Sequence, residues 1–224
     1  MRRQSYRDTA VSTAREQILA RIRAAKAGGG AAAPPPRRYV RARALDQDSL
    51  VELFCERTGD YRAEVQRVAP EQLPRAITAA AARHGAKRIV TPSGLPAAWL
   101  ADVPGRDLTL VRDQGLNARE LDRFDGVLSG CTVAIAETGT IALSAAPAEG
   151  RRELSLIPDL HICVVQVTQI VATVPEAIGR LGVLVREQRR PLTLISGPSA
   201  TSDIELQRVE GVHGPRALVV MVSG

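Results

Sequence analysis

Leu160-His-Ile-Cys-Val-Val-Gln166, then Thr173-Val-Pro-Glu176, then Leu192-Thr-Leu-Ile195: this succession of strand, helix and strand decides the fold. The first stretch, with His161 at its start, is strongly apolar and holds two valines and an isoleucine, the pattern of a strand covered on both faces. The second begins with a capping hydroxyl and reaches a glutamate three residues later, with proline between them, which opens a helix over about 175–189. Further apolar runs at 88–91, 108–111, 131–136, 140–144, 191–195 and 217–222 read as strands. Helical segments fall between them near 95–101, 117–123, where Asn117-Ala-Arg-Glu120 is the start signal, and 151–157. The alternation predicts an α/β fold, a mainly parallel sheet flanked by helices. One antiparallel hairpin is expected within Cys131–Ser144, because Glu137-Thr-Gly-Thr140 is too short for a parallel crossover.

Toward the N-terminus, Thr13-Ala-Arg-Glu16 is a capping box, and Ile18, Leu19 and Ile22 share one face of a helix over 13–26. Gly28-Gly-Gly-Ala-Ala-Ala-Pro-Pro-Pro36 cannot continue that helix and reads as a linker, so the expected division is 1–36 and 37–224. The tethered helix can dock on the domain or on a second copy, which leaves homo-oligomers open. Ser49-Leu-Val-Glu52 reads as the start of a second helix, and an alanine-rich third runs from about Pro70 to His84-Gly85. All of these helices are expected to precede the sheet.

The chain has 224 residues and a net charge of +6, but residues 1–45 alone carry +9 and the remainder −3. A mildly acidic body with 3% aromatic residues offers few stacking platforms and argues against nucleic acid as a partner. No apolar stretch is long enough to span a membrane, and Met1-Arg-Arg-Gln-Ser leads into no apolar segment, so a cytoplasmic protein is expected. Cys55, Cys131 and Cys163 are too dispersed for a zinc or iron–sulfur site and read as small buried hydrophobes in a reducing compartment. The chain is expected to hold no metal and no cofactor of its own.

Three polar clusters could carry chemistry. Ala136-Glu137-Thr138-Gly139-Thr140 places an acid and two hydroxyls around a glycine at a strand end; a plain hairpin turn is the bland alternative. Ser196-Gly197-Pro198-Ser199-Ala200-Thr201-Ser202-Asp203-Ile204-Glu205 follows a strand and could hold phosphate or carboxylate on its hydroxyls and amides, or be a solvated loop. Gly211-Val-His213-Gly214-Pro-Arg216 sets an imidazole beside a cation suited to clamping a carboxylate. His161 reads as a satisfied core histidine, and His84 as a helix-end residue.

Together with Pro158-Asp-Leu-His161-Ile-Cys-Val-Val165, these segments resemble the signature segments of the lactate-utilisation (LUD) domain family over most of residues 40–224. The resemblance implies a fold of the NagB/RpiA/CoA-transferase-like superfamily and a part in oxidising L-lactate to pyruvate with two iron–sulfur partner proteins. Any cluster then belongs to those partners. On the leading reading the chain is an accessory subunit whose pocket takes a small anion. Thr138, Thr140, Ser196, Ser199 and Thr201 line it with the turns at Gly139, Gly197 and Gly214, Arg216 is the cation, and Glu137, Asp203, Glu205 and His213 are polar partners. Two other readings stay open. One is an enzyme of the CoA-transferase kind with Glu137 as nucleophile, Glu137 and His213 being the catalytic candidates; the other is an assembly protein with no ligand site.

Overall fold

A computed structural model describes residues 13–27, 36, 40, 42–101, 103, 108–198 and 214–224. It divides the chain into two units, Met1–Tyr39 and Val40–Gly224. In the first, α1 (Ala14–Lys26) begins where the capping box places it: Glu16 N–H donates to the Thr13 hydroxyl, and Thr13 N–H donates to the Glu16 carboxylate. Ile18 and Ile22 are exposed. Of the linker at 28–36, residues 28–35 lie outside the described residues.

In the second unit α2 (Gln47–Asp60) leads into β1 (Glu64–Val68), then α3 (Leu73–Arg83), β2 (Arg88–Thr91), α4 (Ala97–Leu100), β3 (Thr109–Arg112), α5 (Ala118–Leu121) and β4 (Gly126–Ser129). A hairpin of β5 (Val133–Ile135) and β6 (Thr140–Leu143) follows, then β7 (Leu160–Gln166), β8 (Ile170–Val171), α6 (Val174–Gln188), β9 (Thr193–Ile195) and β10 (Ala217–Ser223). Six strands form an all-parallel sheet in the order β1-β10-β7-β4-β2-β3. The hairpin does not join it. It sits in a second sheet, β8-β5-β6-β9, antiparallel across β5-β6 and β6-β9.

The second sheet has a physical reason. Every residue of β5 and β6 is buried, so the hairpin needs apolar cover on both faces. One face, with Ala134, Ile141 and Leu143, packs on Cys163, Val165, Val220 and Val222 of the main sheet and on Val51 and Phe54 of α2. The other, with Val133, Ile135 and Ala142, is covered by Ala177 and Leu181 of α6. The far face of the main sheet, with Ile162, Val164, Val219 and Met221, lies under Leu73, Ile77, Ala80 and Ala81 of α3. Each fully buried aliphatic side chain in these layers stabilises the fold by about 1.5–3 kcal/mol.

Several expectations need correction. β1 falls between α2 and α3, so the helices do not all precede the sheet; β4 and β8 are further strands that the apolar runs did not mark. The second helix is capped by Asp46, not Ser49, whose own N–H and hydroxyl both bond the Asp46 carboxylate. The segment near 151–157 is a 3-10 turn over Arg152–Ser155.

Asp113, beyond the end of β3, receives Arg151 through Nε at 2.8 Å and Nη2 at 3.2 Å, and accepts from the amides of Gly115 and Leu116. The Arg151 bond above all holds its carboxyl below the ordinary value, against burial. A folded-state value below the unfolded one means a contribution present above the unfolded pKa and lost as pH falls through the folded pKa. Asp113→Asn is expected to cost about 1–3 kcal/mol near neutral pH. In urea unfolding the gap from wild type should narrow below the carboxylate range of about 4; a gap independent of pH would contradict the assignment.

Candidate functional site

β5 ends in a 3-10 turn, Ala136–Thr138, and Gly139 at φ 59° reverses the chain into β6. The turn is pinned at both ends. Glu137 N–H donates to the Ala172 carbonyl at 3.1 Å, and the Glu137 carboxylate accepts from Val174 N–H at 2.6 Å. Val174 is the first residue of α6, so this carboxylate sits where a helix N-terminus favours negative charge. Glu137 therefore has a structural occupation for one of its oxygens.

The first two clusters meet. β6 and β9 run antiparallel with Ile141 opposite Ile195, which sets Thr140 beside Ser196 with their hydroxyl oxygens 2.8 Å apart. Thr138 donates to the Thr140 hydroxyl, also at 2.8 Å, completing a chain of three hydroxyls. Both glycine turns rest on the carboxyl end of α2: a side chain at Gly139 would collide with the backbone of Arg57 and Thr58, and one at Gly197, φ 80°, with the Tyr61 carbonyl. Gly214 abuts the Pro198 carbonyl, so the third turn closes on the second. Arg216 begins the approach to β10, its N–H bonded to the Asp159 carbonyl and its Nε 3.2 Å from the Asp159 carboxylate, both side chains exposed. Ser199, Thr201, Asp203, Glu205 and His213 lie outside the described residues. The three hydroxyls supply donors, and Arg216 is a cation paired with Asp159, groups whose chemistry suits a small carboxylate or phosphate.

Other features were not legible as sites. A crevice of about 390 Å³ opens at the carboxyl ends of β1, β7 and β10, lined by Pro70, Leu73, Trp99, Gln166, Val167 and Ser223 among others, and none of the expected site residues among the described ones borders it. Glu149 is buried with its carboxylate bonded to Thr132, Ser144 and Ala146. His161 is buried as expected, but only Nε2 is bonded, to the Ser129 hydroxyl at 2.8 Å; Nδ1 has no partner among the described residues. Among those residues no group of three His, Cys, Asp or Glu could hold a metal ion, and no helix is long and apolar enough to cross a membrane.

Residues 100–222 match the family model of the LUD domain. The chain is 52% identical to Lactate utilization protein C of Deinococcus radiodurans, over 80% of this chain and 82% of that one. It is 30% identical to an uncharacterized protein of Neisseria meningitidis serogroup B over 93% of each. Among solved structures, a DUF162 family protein from Deinococcus radiodurans superposes with a TM-score of 0.69 at 44% identity, covering 81% of this chain and all of that one.

Proposed function

We propose, from the premise that this chain belongs to the LUD domain family, that it serves lactate utilisation as a cytoplasmic, small-anion-binding accessory subunit. In this reading two iron–sulfur partners carry the electrons released when L-lactate becomes pyruvate. The observation that carries the proposal is the similarity to Lactate utilization protein C across four fifths of both chains. Three cysteines in the sequence, fewer than the four thiolates a typical cluster takes, support a reading in which the clusters belong to partners. The Thr138-Thr140-Ser196 hydroxyls and Arg216 suit the carboxylate that lactate and pyruvate share. The Val174 N–H bond gives one Glu137 oxygen a structural role, which supports the binding reading over a CoA-transferase reading with Glu137 as nucleophile.

Deleting the gene from its own host is expected to abolish growth on L-lactate as sole carbon source, with a wild-type copy restoring it. Two iron–sulfur proteins should co-purify with the restored chain. Undiminished growth of the deletion strain would overturn the role. Arg216→Ala, at an exposed position, should leave the fold intact and weaken lactate or pyruvate binding at least tenfold by calorimetry; unchanged binding would remove Arg216 from the site.

A further inference from the structure

Ser223, the last residue of β10, is only 6% exposed, yet its hydroxyl has no hydrogen-bond partner among the described residues. It lines the crevice of about 390 Å³ at the carboxyl ends of β1, β7 and β10. A buried polar group without a partner calls for an explanation, and the carboxyl ends of an open parallel sheet are where such folds take ligands. The walls are fixed by the fold itself. Gln47, the first residue of α2, donates Nε2 to the Val167 carbonyl at 3.1 Å, and Gln166 N–H donates to the Gln169 side-chain oxygen at 2.8 Å. Gln169 in turn donates to the Cys131 carbonyl. Half-buried Trp99, on α4, lays the benzo edge of its indole along Gly130, where an added Cβ would already lie 3.4 Å from Cη2. The indole N–H also has no partner among the described residues.

We propose that this crevice binds an uncharged, planar heteroaromatic ring, packed against Trp99 with its polar edge bonded to the Ser223 hydroxyl. No side chain that lines the crevice carries a charge. A carboxylate or phosphate entering it would therefore give up its hydration without a counter-ion. A neutral ring has no such cost: its faces gain the apolar contact of Trp99, Pro70 and Leu73. Its edge nitrogens and carbonyls can pair with the hydroxyls of Ser223 and Thr168, each able to donate and to accept. The volume falls within the range of about 300–1,000 Å³ typical of small-molecule clefts. Nucleobases, nicotinamides and isoalloxazines share this chemistry.

The crevice is separate from the hydroxyl chain at Thr138, Thr140 and Ser196. Gln47 begins α2 at the crevice, whereas the Gly139 and Gly197 turns rest on the other end of the same helix, against Arg57, Thr58 and Tyr61. At 1.5 Å per residue the two lie about 15–20 Å apart along the helix axis. Ring binding thus does not depend on the lactate reading, and either can fail without the other.

Trp99 is the single tryptophan of the chain, so selectively excited tryptophan emission reports on the crevice directly. The full chain is titrated separately with adenosine, nicotinamide and riboflavin, the last followed also by its own emission. At least one is expected to quench Trp99 saturably, and the one that does identifies the ring type. Ser223→Ala, which removes only the hydroxyl, should weaken that probe about three- to tenfold. Trp99→Leu should weaken it at least tenfold by calorimetry; should that variant not fold, Ser223→Ala carries the test alone. L-Lactate, the charged control, should leave Trp99 emission unchanged. No saturable response to any of the three rings, equal affinity in Ser223→Ala, or saturable quenching by L-lactate would overturn the proposal.

Discussion

Gly139→Ala is expected to destabilise the α/β unit by about 3 kcal/mol or more, near the upper end of what a single added methyl does. Two costs combine. At φ 59° an L-residue gives up about 1–2 kcal/mol to the left-handed conformation. The new Cβ would also lie 2.5 Å from the Arg57 carbonyl carbon and the Thr58 nitrogen. These atoms are backbone of α2, which cannot shift cheaply because Val51 and Phe54 on the same helix are locked in the core and Thr58 is buried with its hydroxyl aimed at the Gly139 carbonyl. Gly85→Ala separates the two costs: Gly85 has φ 66° but nothing within 4 Å of an added Cβ, so only the conformational part should appear. Urea unfolding of both variants decides the matter, and equal losses would mean that α2 yields to the added methyl. Because the Gly139 turn holds Thr138 and Thr140, the same variant should loosen the hydroxyl chain.

The hairpin was legible because four residues cannot cross over a parallel sheet, and α6 because Thr173 and Glu176 mark its start. β7 was legible because burial on both faces leaves His161 as the one polar side chain between Leu160 and Val165. β1 was not, for the opposite reason: Glu64-Val-Gln-Arg-Val68 is an edge strand paired only with β10, and its residues stay partly exposed and largely polar. β4 hides because it is short and bounded by glycine and serine. Gly126 is there because a Cβ would lie 2.8 Å from the Leu160 carbonyl, a demand set by a strand 34 residues away in sequence. Periodicity also cannot say which sheet a strand joins, so a second sheet was invisible until both faces of β5 and β6 had to be covered.

The polar clusters follow the same division. Each turn could be read locally, but the Thr140–Ser196 contact spans 56 residues and arises only from the β6–β9 register. Burial of His161 follows from its apolar neighbours. Its unsatisfied nitrogen does not, because the tautomer is fixed by Ser129, 32 residues earlier, and by the carbonyl to which that hydroxyl is committed.

Glu149 gives the second large effect, and its two substitutions should differ. The carboxylate is 2% exposed and takes four donors: the Ser144 and Ala146 amides and the Ser144 hydroxyl on one oxygen, and the Thr132 hydroxyl on the other. No cation pairs with it among the described residues. It clamps the bend that follows β6, whose Pro147 and Ala148 carbonyls accept from Gly94 and Gly130. Glu149→Ala leaves buried donors unpaired, each costing about 1–3 kcal/mol, so a total loss of about 3 kcal/mol or more is expected. Glu149→Gln keeps an oxygen for the three Ser144 and Ala146 donors and presents an NH₂ to Thr132. The Thr132 hydroxyl can turn its proton to the Ser144 oxygen 2.7 Å away and accept from that amide. The glutamine variant should therefore lose only about 1–2 kcal/mol, the difference between charge-assisted and neutral bonds. Denaturant unfolding of the two side by side is the measurement. If glutamine proves as damaging as alanine, the negative charge itself, and not the satisfaction of the four donors, is what holds this bend in place.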